Sequence, residues 1–373
     1  MNAKERVLAA IAHQEPDRVP LDFVSVPEQM GNLRRHFGLP PKTPDANAPV
    51  GIGEYVDSEV AACLGTDLRN VAPKYVGPPT VRYDDGSFLD FWGVRRKPVR
   101  HATGVYNEVI DAPLKGASSL QEVDRHRWPS VEWFDFKPVT QQCREQSEYA
   151  LVAGWPMTVD FINRSAMLCG YDRVLLGLAT GDPVVFAILD RLSDFFLKFN
   201  QRYFEAGQGY LDIAFYGDDY GTQGGSLISP RTFRSIFQPR WAPHMEQVRS
   251  FGLKAMLHSC GSTRVLLPDI IDTGFHILQT VQPEAKGMDL HELKEQFGDR
   301  LCFNGCISVQ QVLPHTTPDG VRAEVRRVIE IMAPGGGFIL GPTHNIQSDT
   351  PLENVLAMYE TAQTVGVYPR RSA

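Results

Sequence analysis

From about residue 150 onward, short apolar runs alternate with longer amphipathic stretches, and that rhythm leaves few folds open. The runs Ala150–Ala153, Leu211–Tyr216, Lys254–His258, His276–Gln279, Leu301–Phe303 and Phe338–Gly341 are bounded by turn residues and predict buried strands. Between them the spacing predicts helices over Asp182–Gly207, Pro230–Arg249, Thr263–Asp272, Asp289–Phe297 and Pro318–Met332, with a last one from about Pro351. In the longest, Phe186, Leu189, Leu192, Phe196 and Phe199 recur at helical spacing and mark the buried stripe. Successive strand–helix units of this kind build a parallel sheet, and at least five in a row favour a closed barrel over an open sheet. The expectation is an α/β fold, a distorted (β/α)8 TIM barrel.

The first 150 residues read differently. Proline and glycine punctuate them, as at Pro40-Pro41 and Pro78-Pro79, and the strand-like runs are short: Val19–Phe23, Thr80–Tyr83 and Phe88–Trp92. The last two flank Asp84-Asp85-Gly86-Ser87, a hairpin signal. The opening residues predict a short amphipathic helix with Val7, Leu8 and Ile11 on one face, ended at Pro16-Asp17. No low-complexity linker separates this part from the rest. We therefore expect one domain over residues 1–373, with 1–150 an irregular N-terminal elaboration and 150–373 the regular units.

A formal net charge of -7 argues against nucleic acid or an anionic membrane surface as partner, since both reward a basic patch. No apolar run approaches the roughly 20 residues that span a bilayer, and the opening lacks the apolar core of a signal peptide. The expected location is cytoplasmic, where the six cysteines stay reduced.

Barrels carry their chemistry on the loops at the C-terminal ends of the strands. One predicted strand ends in His258-Ser259-Cys260, and side chains two apart on an extended segment face the same way. The next strand but one runs into Asn304-Gly305-Cys306, and the last into Thr343-His344-Asn345. An imidazole, a thiolate and a third ligand drawn from Cys306 or His344 form a set suited to Zn²⁺ with a position left for substrate. Cys63, Cys143, Cys169 and Cys302 read as packing residues. A second cluster, Tyr216-Gly217-Asp218-Asp219 through Gln223, sets two adjacent carboxylates at a strand end, where they are costly unless they bind a proton, a cation or substrate hydroxyls. Asp218, Asp219 and Gln223 are the candidate catalytic residues. Trp155, Asn163, Tyr216 and Asn345 are the candidate substrate contacts.

The run from HSCGSTRVLL through FNGCISVQQVL, the segment GGGFILGPTHNIQSDTPLENVL, the opening NAKERVLAAIAHQEPDRVPLDF and the DDYGTQ segment resemble the uroporphyrinogen decarboxylase superfamily. The resemblance spans essentially the whole chain and implies a single distorted (β/α)8 barrel. The chain lacks MRQAGRY, the motif by which true uroporphyrinogen decarboxylases grip substrate carboxylates. His258-x-Cys260 is instead similar to the zinc- and cobalamin-linked methyltransferase branch, in which His-x-Cys and a distant Cys hold zinc. That distant position is His344 here. The resemblance implies zinc, a corrinoid carried by a separate partner protein, and a small methyl donor or acceptor. A methoxylated aromatic that undergoes O-demethylation is the first choice, from the similarity around His344-Asn345-Ile346-Gln347. Two rival readings stay open. A decarboxylase or lyase on a small carboxylated substrate would draw on Arg164, Arg231 or Arg264, and a ligand-binding barrel would show no turnover. Assembly into a homo-oligomer is compatible with all three.

Overall fold

The computed structural model describes residues 1–42, 57–101, 104–154 and 158–368. Its centre is a seven-stranded sheet, parallel at every pairing, with the strands in chain order. The strands are β1 (Leu68–Val71), β2 (Ala150–Ala153), β3 (Ile213–Gly217), β4 (Lys254–His258), β5 (Ile277–Val281), β6 (Cys302–Ile307) and β7 (Phe338–Pro342). Strands β2, β3 and β5 to β7 are buried at every position. That accounts for their reading as continuous apolar runs rather than alternating ones.

The gap between β7 and β1 is filled by residues 20–22. The Leu340 N–H donates to the Pro20 carbonyl (2.9 Å), and the Asp22 N–H donates to Leu340 (2.8 Å). On the other side the Asp67 N–H donates to the Leu21 carbonyl, and the Asp67 carboxylate accepts the Leu21 N–H, both at 2.8 Å. The predicted strand Val19–Phe23 is thus an eighth stave held by isolated bridges rather than a ladder. Arg6 and Arg18 both pair with the buried Asp67 carboxylate, at 2.6 and 2.7 Å, and tie this junction to the N-terminal helix.

That helix, α1 (Ala3–Ile11), starts at an Asn2–Glu5 capping box. It drives Val7 and Ile11 into a core with Leu68, Val152, Ile213, Phe215, Met256, Ile277, Cys302 and Ile339. This is the floor of the barrel interior, plugged from below. Helices α2 (Phe161–Cys169), α3 (Pro183–Ala206), α4 (Gln238–Ser250), α5 (Leu267–Thr273), α6 (Leu290–Phe297), α7 (Pro318–Met332) and α8 (Leu352–Val365) cover the outside. The helix predicted at Pro230–Arg249 contains a π-turn, Phe233–Phe237, ahead of Pro239 and Pro243, which have no N–H to donate to the helical ladder.

The predicted hairpin is present as Val81–Arg82 against Phe88–Leu89. It belongs to a larger antiparallel sheet with Arg95–His101 and Gly104–Asp111, which the apolar pattern does not announce. The first is rich in charge and the second largely exposed, and neither has a buried position, so they carry no apolar alternation to read. No helix among the described residues is long and apolar enough to cross a membrane.

Candidate metal centre

The floor residues Leu68, Val152, Phe215, Met256, Ile277, Cys302 and Ile339 point into the barrel. Two residues further along each strand, the same inward parity selects Asn70, Gly154, Gly217, His258, Gln279, Asn304 and Gly341. One step up the barrel, an apolar layer gives way to amides, an imidazole and glycines. The glycines clear space. A Cβ at Gly154, whose φ is +133°, would sit 2.3 Å from the Phe215 carbonyl oxygen.

Within that upper layer His258, Cys260 and His344 bring one ligand atom each to within 4.8 Å of one another. Cys260 Sγ lies 3.3 Å from His258 Nε2, and the two imidazole rings are 5.6 Å apart at 72°. His258 Nδ1 donates to Gln279 Oε1 (2.5 Å), which fixes the ring and leaves Nε2 facing the cluster. Cys260 Sγ is also 3.5 Å from Thr280 Oγ1. Asp219 accepts the Cys260 N–H (2.8 Å) and the Asn163 amide (2.9 Å), and lies 3.8 Å from His258 Nε2.

The electrostatics favour a Cys260 thiolate paired with a protonated His258, a proton that a bound metal would displace. Burial alone would raise the Cys260 thiol, but the His258 charge and hydrogen bond, with His344 behind them, outweigh it and bring its pKa to about 6. Burial disfavours the His258 imidazolium, yet the Cys260 thiolate, Asp219 and Gln279 carry its pKa up to about 10. A thiolate already stabilised by positive neighbours is the form in which cysteine binds metal. One thiolate and two imidazoles, with an amide oxygen orienting one ring, make a donor set that Zn²⁺ accepts. Among the described residues these three form the group able to hold a metal ion.

Two cavities meet at this cluster. An inner one of about 30 Å³, room for one or two water molecules, reaches into the barrel between Val24, Leu68, Val152, Phe215 and Met256, with Asp22, Asn70, Gln279 and Asn345 as its polar walls. An outer one of about 470 Å³ opens at the mouth between Gln223, Gln282, Gln310, His315, Gln347 and Asp349. His344 lines both, while His258 faces the inner and Cys260 the outer.

The structure sorts the other residues singled out from sequence. Gln223 lines the outer cavity and donates to Gln282 (3.1 Å), and Asn345 lines the inner one. Asn163 holds Asp219. Asp218 is fully buried beneath the mouth, where it accepts the Ile162 N–H (2.8 Å) at the start of α2 and lies beside Asp160. Burial and the Asp160 charge hold the Asp218 carboxyl far above its usual range. Tyr216 follows the inward Phe215, so parity turns it outward against Trp241 and Phe275. Neither Tyr216 nor Asp218 lines either of these two cavities. Cys306 also stands apart from the three ligand groups. Positive φ angles at Gly305 (+120°) and Cys306 (+75°) break the alternation of β6, and the thiol packs into the outer core, its pKa pushed up by burial. Trp155 lies outside the described residues. Gln279, Thr280, Gln282, Asp22 and Asn70 were not anticipated. Parity counted along the predicted strands would have found Gln279, the last residue of its run.

A family model for uroporphyrinogen decarboxylase (URO-D) matches residues 163–365, more than half of the chain. The chain belongs to the uroporphyrinogen decarboxylase family. Over 132 residues it is 36% identical to the methylcobamide:CoM methyltransferase MtaA of Methanosarcina barkeri, and 35% identical to that of the Fusaro strain. In each case the match takes in 35% of this chain and 36% of the relative, so the chain spans about a third of the length of these curated relatives. A methyltransferase structure from Methanosarcina mazei superimposes with a TM-score of 0.65 at 21% identity, over 97% of this chain and 98% of that one. This supports the barrel expected from sequence.

Proposed function

We propose that this uroporphyrinogen decarboxylase family member is a zinc-dependent methyltransferase, moving a methyl group between a small substrate and a corrinoid carried by a partner protein. The observation that carries the reading is the His258–Cys260–His344 cluster, set at the floor of the open cavity in the barrel mouth. The names of the curated methyltransferase relatives point the same way. His258, Cys260 and His344 would hold the zinc. Bound there, it supplies a Lewis acid that draws charge from the heteroatom attached to the methyl group.

The chain's own residues do the rest. Gln279 sets the His258 ring, and Asp219 pins the Cys260 backbone while Asn163 braces Asp219. The outer cavity, lined by Gln223 and Gln282 beside Cys260 and His344, has the room for a small substrate and opens toward the carrier. In the direction we favour, O-demethylation of a methoxylated aromatic, the methyl carbon gives up its bond to the ether oxygen and gains one to the carrier. The oxygen leaves with the bonding pair and takes up a proton.

The decarboxylase or lyase alternative needs basic residues at the mouth. Arg164 is stacked 5.2 Å from the Trp92 ring, Arg231 is exposed, and Arg264 bonds Glu292 and Gln296. None of the three lines either cavity. The test joins metal content to turnover of 2-methoxyphenol with a reduced corrinoid carrier. Near-stoichiometric zinc, and ether consumption that needs both zinc and carrier, are expected. Zinc-free protein from zinc-replete preparations would overturn the metal reading, and turnover of a carboxylated substrate without carrier would restore the lyase.

A further inference from the structure

The antiparallel sheet of the N-terminal part ends on strand Gly104–Asp111. Its inner neighbour is Arg95–His101, and among the described residues no strand pairs with its outer side. Such an edge is an open row of backbone donors and acceptors, which proteins usually blunt with lysine, proline, a bulge or brevity. This strand runs eight residues without lysine or proline, and its register is unbroken from Gly104 to Val109. Val105, Tyr106, Val109 and Ile110 are all exposed along it.

Pro98 tells which backbone groups of the edge face outward. Antiparallel pairs alternate between those that exchange both N–H···O bonds and those that exchange none. Pro98 lies opposite Asn107 and has no N–H, so that pair is of the second kind. Alternation then gives Tyr106 and Glu108, opposite Val99 and Lys97, to the inner ladder. It turns the N–H and C=O of Val105, Asn107 and Val109 outward. The Arg96 guanidinium donates to the Asn107 carbonyl (3.1 Å), which has a second lone pair for a ladder bond.

Two copies of this edge fit each other. A two-fold axis normal to the sheet allows only registers in which one residue faces its own copy. With Asn107 on the axis, each Val105 faces the Val109 of the other copy, and the three outward residues form the bonded pairs. On the opposite side of the sheet Ile110 covers Gly104, and Tyr106 lies beside Glu108. No like charges meet. With Glu108 on the axis, two carboxylates would stand directly opposite at the closer, unbonded spacing of about 4.5 Å between Cα atoms. With Tyr106 on the axis, Val105 would face Asn107 and Val109 would run past the start of the other strand.

We propose that strand Gly104–Asp111 pairs antiparallel with the same strand of a second copy of this chain, with Asn107 on the two-fold axis, so that the two edge sheets become one. The Tyr106 hydroxyl donates to the side chain of Gln347, a wall residue of the outer cavity, so the seam lies at the barrel mouth. The pairing stands independently of the methyltransferase reading.

Sedimentation equilibrium of the full chain tests it. A monomer–dimer equilibrium is expected, with a dissociation constant of about 100 μM or tighter. Asn107→Pro removes the N–H on the axis, which the inner ladder does not use, and should weaken the dimer at least about tenfold. Asn107→Cys would set two thiols on residues about 5.5 Å apart between Cα atoms, within disulfide reach. In a Cys63→Ala background, which removes the exposed native cysteine, that chain should cross-link under mild oxidation and Glu108→Cys should not. The cross-link covers the case in which Asn107→Pro does not fold. A chain that stays monomeric at about 100 μM overturns the proposal. So does a dimer that Asn107→Pro leaves unchanged, or cross-linking of the Glu108→Cys chain in preference to the Asn107→Cys chain. Amide protection of Val105, Asn107 and Val109 that arises only when a corrinoid carrier protein is added overturns it too, and gives the edge to the carrier.

Discussion

Met256 and His258 are two residues apart on one strand, as are Ile277 and Gln279, and Cys302 and Asn304. The lower member of each pair belongs to the barrel floor and the upper member to the polar layer beneath the mouth. Backbone, parity and neighbours are shared, so the contrast isolates what the side chains do. Below, every position is apolar and α1 seals it from water, and each large side chain so buried contributes about 1.5–3 kcal/mol. Above, nearly the same enclosure is lined with groups that cost free energy to bury and must be offset by partners. A barrel of this kind divides its labour by height along the strand, and the boundary is one pleat wide.

The largest effect expected from breaking that division is at the mouth. Cys260→Ala should abolish zinc binding and lower methyl transfer by more than the roughly 100-fold that loss of a supporting partner costs. The unfolding midpoint measured with chelator present should barely move, because the thiol lies above the floor. Zinc retained at full stoichiometry in this variant would remove Cys260 from the ligand set.

The floor should respond the opposite way. Ile277→Ala, one pleat below Gln279, leaves a cavity under the site and should cost about 2–5 kcal/mol in denaturant unfolding. Zinc per folded molecule should stay unchanged. Coupled loss of metal and stability would mean that the two layers are not separable.

This division was partly legible beforehand. The fold was, because parallel strands buried on both faces leave long apolar runs that period and length identify, and β2 and β4 sit at the predicted residues. So was the juxtaposition of His258 and Cys260, because His-x-Cys on an extended segment shows through its spacing. Parity is harder to read in a strand apolar on both faces. Tyr216 and Phe215 look equally plausible as inward residues, and only the packing against Trp241 decides. Asp218 and Asp219 are adjacent, so the chain had to turn one toward His258 and the other toward the start of α2. Asp22 escaped notice because its stave makes isolated bridges and lies more than 300 residues from its partner Leu340.

Histidines sharpen the same contrast on a smaller scale. In the mouth, charge partners carry His258 up to about 10. In the wall, His244 is fully buried among Phe161, Tyr216 and Trp241, with the Ser193 hydroxyl 3.1 Å from Nε2, and burial lowers it to about 3. His276 falls to about 4 by burial, and its Nδ1 accepts the Ala255 N–H, a bond that needs the neutral ring. For both, the folded pKa lies below the unfolded value near 6.5. Above that pH neither state binds the proton and stability is unaffected. As pH falls, the unfolded chain protonates first, so stability drops by up to about 1.4 kcal/mol per pH unit for each ring. Denaturant titrations of metal-free protein between pH 7 and 5 should show this slope, and His244→Gln should make it shallower by about one proton. An unchanged slope would place the acid sensitivity elsewhere.

The smallest expected effect carries the finest distinction. Cys306 and His344 were equivalent candidates for the third ligand, both at strand ends on the last two strands. The turn imposed by positive φ at Gly305 and Cys306 sends that thiol into the layer between β6 and α7, near Arg327 and Glu324. His344 follows β7 without such a break and reaches the cluster. Cys306→Ala removes one buried sulfur and should cost roughly 1 kcal/mol of stability, with zinc stoichiometry and methyl transfer unchanged. His344→Ala should release zinc with little change in the unfolding midpoint of the metal-free protein. If the two variants exchange these behaviours, the thiol in the outer layer must swing inward on metal binding, and the mouth would be assembled by its ligand rather than by the fold.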